Sequence, residues 1–208
     1  MRRLSSPQKI QRFLDEIRYN TDDITRSPRQ VLRLKKAHCF DGALFAAAAL
    51  ERLGDPPLVL YMESSLEDDD HVLAIFRRRG CWGAVAKSNY ATCRWRDPVY
   101  RTPRELVMSY FDGYFNLAGT KTLRAFYQPF DLRRIKDLEW RFTDQDLDDL
   151  DARLKSGRRY AVISRAQERL LAPADDRLFR AATLGLDPKG AFKIKGSRLN
   201  AATRRGAA

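Results

Sequence analysis

The chain has 208 residues, with 39 Lys and Arg against 27 Asp and Glu and a formal net charge of +12. Hydrophobic residues make up 44% and aromatics 11%, which suits one domain with a buried core and excludes a wholly disordered chain. The longest uninterrupted apolar run, 43–50, is far short of the roughly 20 residues of a membrane-spanning helix.

Taken in chain order, Ser6-Pro7 is a helix start, with Ser as cap and Pro in the first turn. Ile10, Phe13, Leu14 and Ile17 follow at helical spacing to about Tyr19. Ser27-Pro28 repeats the signal before Val31, Leu32 and Leu34. From Cys39 the pattern is apolar nearly all round, until Gly54 and Pro56-Pro57 stop it. Such a helix is central and covered on most sides. The period then changes. Residues 58–62, 71–76 and 81–87 read as short strands, the last two joined by a hairpin turn at Arg78-Arg79-Gly80. Thr102-Pro103 starts another helix carrying Leu106, Val107, Tyr110, Phe111 and Tyr114. Residues 126–132 are extended, with Pro129 pointing to an edge strand. Thr143-Asp-Gln-Asp146 reads as a capping box before Leu147, Leu150 and Leu154. The expected class is α+β: a central helix on a small antiparallel sheet, with additional helices at both ends.

The charge is unevenly placed. Residues 1–36 carry 10 basic and 4 acidic residues, and residues 165–208 carry 10 and 4 again. The body between them is balanced. This divides the chain into a helical lead-in (1–36), an α+β domain (37–164) and a basic C-terminal extension (165–208), whose stretch from 187 onward is expected to be mobile or draped over the surface. The basic ends suit a weak acidic or nucleic-acid partner. The first residues contain no apolar segment of the secretory kind. An odd count of three cysteines without a CxxC spacing predicts reduced thiols in a cytoplasmic protein. No metal-ligand or cofactor-binding spacing is present, and no membrane partner is expected.

Only two histidines exist, His38 and His71. Cys39 falls at the N-terminus of the central helix, where orphan backbone N–H groups and the positive dipole end are expected to lower a thiol pKa. His71 begins a strand, and the strand after the hairpin leads into Ser88 and Asn89, opposite or diagonal to His71. Cys39 as nucleophile, His71 as base and Ser88 or Asn89 as the oxygen that orients the ring are the parts of covalent acyl transfer. The Cys39 N–H would form part of an oxyanion hole.

His38-Cys39-Phe40-Asp41-Gly42-Ala43, then Asp70-His71-Val72, then 82–89 ending in Ser88-Asn89, in this order, resemble the transglutaminase-like branch of the papain-type superfamily. The resemblance covers about residues 36–92. It implies a papain-type core with Cys39 as nucleophile and His71 as base. The family's usual third residue is Asp; here Asn89 or Ser88 stands in that region. The family includes peptidases, amidases, acyl transferases and inactive members. The function expected first is therefore a cysteine-dependent hydrolase or acyl transferase acting on a peptide or protein amide or isopeptide. The alternative is a non-catalytic partner-binding module of the same fold, and weak nucleic-acid association through the basic ends comes third.

Overall fold

The computed structural model describes residues 4–199. The outermost parts of both basic ends, 1–3 and 200–208, lie outside the described residues, and with them part of the stretch expected to be draped or mobile.

Both Ser-Pro starts are realised. Ser6 Oγ accepts from Lys9 N at the head of α1 (Pro7–Glu16), and Ser27 Oγ accepts from Gln30 N at the head of α2 (Pro28–Leu34). Each helix leads into a two-residue strand, β1 (Arg18–Tyr19) and β2 (Lys36–Ala37), which pair in parallel. The central helix α3 (Cys39–Glu51) follows at once. Its residues from Phe40 to Leu50 are all buried, as expected for a helix that is apolar nearly all round.

The sheet is larger than expected and antiparallel throughout. It contains β3 (Leu58–Ser64), β4 (His71–Arg78), β5 (Cys81–Val85), β6 (Arg96–Tyr100), β7 (Leu123–Tyr127), β8 (Phe130–Asp131) and β9 (Arg159–Ala161). The order is β6-β5-β4-β3-β7-β9, with β8 also pairing with β3. The β4–β5 turn is the expected one: Arg78 pairs with Cys81, and Arg79 and Gly80 both have positive φ, 47° and 84°. That combination matches the right-handed twist of a two-residue hairpin.

Strands appear beyond those expected, and three expectations are corrected. Residues 96–100 form an edge strand whose Pro98 is tolerated there. β7 is interior, between β3 and β9, and Pro129 falls in the gap before β8. Thr143 Oγ1 accepts from Gln145 N in a local turn, and Asp146 accepts from Thr25 N and Asp148 N. The helix there, α5 (Leu150–Leu154), therefore starts later than the capping pattern suggested. The helix at 103 is also short: α4 (Pro103–Met108) gives way to a 3-10 turn at Phe111–Gly113. Two small helices, α6 (Arg165–Glu168) and α7 (Asp176–Ala182), follow β9.

Both faces of the sheet are covered. Val59, Tyr61, Val72, Ala74 and Phe76 pack against α3, and α1 and α2 add Ile10, Leu14 and Val31 to the same core. Leu60, Met62, Leu73 and Ile75 point the other way, toward Leu106, Val107, Tyr110 and Tyr114. The alternation is the period of two that strands impose. A third cluster, Phe115, Leu117 and Phe179, seats the C-terminal part. The lead-in at 1–36 thus contributes to the body's own core. Among the described residues no helix is long and apolar enough to cross a membrane.

Candidate active site

The cleft forms where the β4–β5 ladder stops. The last pair is Ala74 with Val85. At the next residue the side-chain amide of Gln11, on α1, takes a strand's place: Ala86 N donates to Gln11 Oε1, and Gln11 Nε2 donates to Ala86 O, both at 3.0 Å. Lys87 then turns its ammonium onto the end of α1, donating to the Leu14 and Ile17 carbonyls at 2.6 Å each. These are helix C-terminal acceptors without an intrahelical donor. Burial pulls the Lys87 pKa down to about 8. The Lys87 stem lies so close to α3 that a Cβ on Gly42 would sit 2.5 Å from Lys87 Cβ. Glycine is what lets the N-terminus of α3 reach the opened edge of β4.

At that edge Cys39, the first residue of α3, points its Sγ at the Asp70 carbonyl, 3.7 Å away. The helix is capped by His38, whose Nδ1 accepts from Phe40 N at 3.0 Å. Asp41 closes the box, accepting from His38 N at 2.6 Å. Because His38 Nδ1 accepts, the ring is neutral with its proton on Nε2, and its 3.2 Å approach to Asp41 Oδ1 is not an ion pair. Burial lowers the His38 pKa to about 4 and raises that of Asp41 to about 8. The cap satisfies the Phe40 N–H, while the Cys39 N–H has no partner among the described residues.

His71 is buried, on the face of β4 opposite α3. Its Nε2 lies 2.8 Å from the Cys93 carbonyl, and its ring meets Tyr114 edge-on at 6.3 Å. A carbonyl can only accept, so Nε2 carries the proton and Nδ1 keeps the lone pair. The group orienting this imidazole is therefore a main-chain carbonyl, not Asn89 or Ser88. Asn89 is engaged elsewhere: its Nδ2 donates to Asp187 O at 2.9 Å and its Oδ1 accepts from Asp187 N at 2.8 Å. Ser88 Oγ accepts from Tyr90 N. Asn89 thus pins the C-terminal segment, and Lys189, Gly190, Phe192 and Lys193 of that segment wall the cleft. A Cβ on Gly190 would lie 2.6 Å from the Tyr19 ring, so the segment passes tight against β1.

Cys39, His71, Ser88 and Asn89 all line this one cleft, whose volume is about 670 Å³. Cys39 and His71 are not hydrogen-bonded to each other. Nor is the thiol activated as expected. The Val72 and Phe40 N–H groups favour the thiolate, but burial outweighs them and the nearby Asp69 and Asp41 carboxylates add to it, pushing Cys39 up to about 12. Burial pulls His71 down to about 4. A helix N-terminus stabilises a charge only to the extent that the charge is not also desolvated. Near neutral pH the two groups are therefore a thiol and a neutral imidazole with a free Nδ1.

The sequence reading missed the Cys93 carbonyl, Tyr114, and the segment from Asp187 to Lys193. A backbone acceptor carries no sequence signal. The Asp187 pairing spans 98 positions, and nothing local encodes it. A scan against protein-family models finds none that matches this chain, and a search of curated proteins finds no match.

Proposed function

We propose that the protein is a cysteine-dependent hydrolase or acyl transferase acting on an amide, with a transglutaminase-like arrangement of Cys39 and His71. The observation that supports this reading is the meeting, in one peptide-sized cleft, of a helix-terminal thiol with a neutral imidazole held in a single tautomer that leaves the Nδ1 lone pair free. In the proposed sequence the thiol leaves the Asp70 carbonyl and its proton passes to His71 Nδ1 as sulfur attacks the substrate carbonyl. The partnerless Cys39 N–H receives the oxyanion. The tetrahedral adduct collapses, the C–N bond breaks, and the departing amine takes the proton from Nδ1. Water or a second amine then attacks the thioester, with His71 again accepting the proton. His71 acts as a general base because the resting pair is uncharged; a preformed thiolate is not part of the scheme.

A second reading, a non-catalytic partner-binding module of this fold, is favoured by one observation: the thiol is pushed up by burial and makes no hydrogen bond to His71. The test is the alkylation of Cys39 by iodoacetamide across pH, followed by peptide mass mapping, in the native chain and in His71→Gln. General-base assistance predicts a labelling rate that falls about tenfold or more in His71→Gln at neutral pH. A rate that follows hydroxide alone and is the same in both chains would leave the binding-module reading standing instead.

A further inference from the structure

The cleft reverses the charge of the molecule. Around a chain of net charge +12, its walls carry Asp22 and Asp23, the aspartates at 68–70, and Asp148 and Asp151. Four of these are compensated. Asp22 pairs with Arg26 and Lys36. Asp70 and Asp151 share Lys155 and the Tyr61 hydroxyl. Asp68 accepts from Thr122 Oγ1. The other three, Asp23, Asp69 and Asp148, are exposed to the cleft and have no ion-pair partner among the described residues. They come from three separate stretches: the loop before α2, the turn before β4 and the segment before α5. Asp69 is raised first by its partial desolvation in the cleft wall, then by the carboxylates of Asp70 and Asp23. The cations in the lining, Lys189 and Lys193, make no ion pair with any of these carboxylates.

A second observation points to a ligand. Asn20 lines the same cleft, is only 2% exposed, and holds its Oδ1 buried without a donor. A buried acceptor left unpaired is costly, and an N–H donor that reached it from the cleft would recover that cost.

Resting on the reading of Cys39 as nucleophile, we propose that the cleft selects acyl donors with a positively charged side chain beside the reacting carbonyl, and that Asp23, Asp69 and Asp148 are the specificity-determining residues. A concave site lined by one sign of charge concentrates ligands of the other, and mismatched charge is rejected as strongly as matched charge is held.

The test uses the full chain and three small chloromethyl ketones that differ only in their side chain: acetyl-lysyl, acetyl-alanyl and acetyl-glutamyl. In each, the Cys39 sulfur bonds to the methylene carbon, chloride leaves and the thiol proton passes to His71. Rates at Cys39 are read by mass spectrometry. The lysyl reagent is expected to react about tenfold or more faster than the glutamyl reagent. That ratio should shrink in Asp69→Asn and Asp23→Asn, and in raised salt. Equal lysyl and glutamyl rates beside a normal alanyl rate would overturn the charge selection and leave the nucleophile reading intact. No reaction of Cys39 with any of the three would overturn both. A ratio unmoved by Asp23→Asn, Asp69→Asn and Asp148→Asn would also overturn the assignment, because the preference would then arise elsewhere.

Discussion

The two faces of the sheet are held by different physics. Under α3 the core is close-packed and apolar: the buried alanines at 46–49 let the helix sit down on Val59, Val72 and Ala74, and close packing is what fixes it. On the other face the cover is short helix and 3-10 turn, and side chains tie it to backbone. Arg96 donates to the carbonyls of Thr92, Trp95 and Ser109 and to Ser109 Oγ, and stacks on Tyr110 at 3.8 Å. Tyr110 donates to Arg94 O, Tyr114 to Asp69 O and His71 to Cys93 O. The first face brings Cys39 to the cleft and the second brings His71.

The largest effect separating the faces is expected from Leu44→Ala, in the packed one. Leu44 is fully buried, and its truncation should cost about 3 kcal/mol in denaturant unfolding while leaving the pH profile of Cys39 labelling unmoved. An altered profile would mean that packing under α3 also tunes the cleft. Next comes Arg96→Met on the other face. It removes four donated hydrogen bonds and a stacked guanidinium, with an expected loss of about 2 kcal/mol. It should also change the near-ultraviolet circular dichroism of the aromatic cover, which Leu44→Ala should spare.

The faces should also titrate in opposite senses. Asp41, in the first turn of α3, is raised to about 8 from 3.8 by burial. The folded state thus holds a proton that the unfolded state has lost, and this stabilisation disappears as pH rises toward 8. His71 is lowered to about 4 from 6.5, and its stabilisation disappears as pH falls from 6.5 toward 4. Relative to the native chain, Asp41→Asn should gain melting temperature as pH rises toward 8, and His71→Gln should gain it as pH falls toward 4, each by on the order of 5 °C. Parallel slopes in the two variants would show that burial does not control these groups. The smallest expected effect is in Asn89→Ala. Losing the two-point hold on Asp187 should cost about 1 kcal/mol and speed tryptic cleavage after Lys189, with little change in global unfolding. Unchanged cleavage would mean that Gly190 packing against Tyr19 holds the segment without help.

Much of the secondary structure was legible because it is locally encoded. Ser6-Pro7 and Ser27-Pro28 carry their own caps, the run from Cys39 to Leu50 advertises a covered helix, and Arg79-Gly80 marks a hairpin. What was misread or left unread depended on tertiary partners. The strand at 96–100 exists because β5 offers an edge, β7 is interior because β9 arrives from position 159, and Thr143 caps a turn because Asp146 is drawn to Thr25. The candidate site divides in the same way. The placement of Cys39 at a helix start and of His71 at a strand start could be read from pattern alone.

The sequence by itself determined the mixed helix-and-sheet class, the helix start at Cys39, and the scarcity of histidine and cysteine that singles out Cys39 and His71. It also showed that the +12 charge lies in the ends and not the body. Tertiary structure alone decided three things: that a main-chain carbonyl orients His71, that Asn89 holds the C-terminal segment, and that carboxylates from three separate stretches converge on one cleft in a basic protein. The physical reason is range. Caps, turns and hydrophobic periods act over a few residues, whereas burial, the tautomer it leaves and the field inside a cleft depend on everything packed around them.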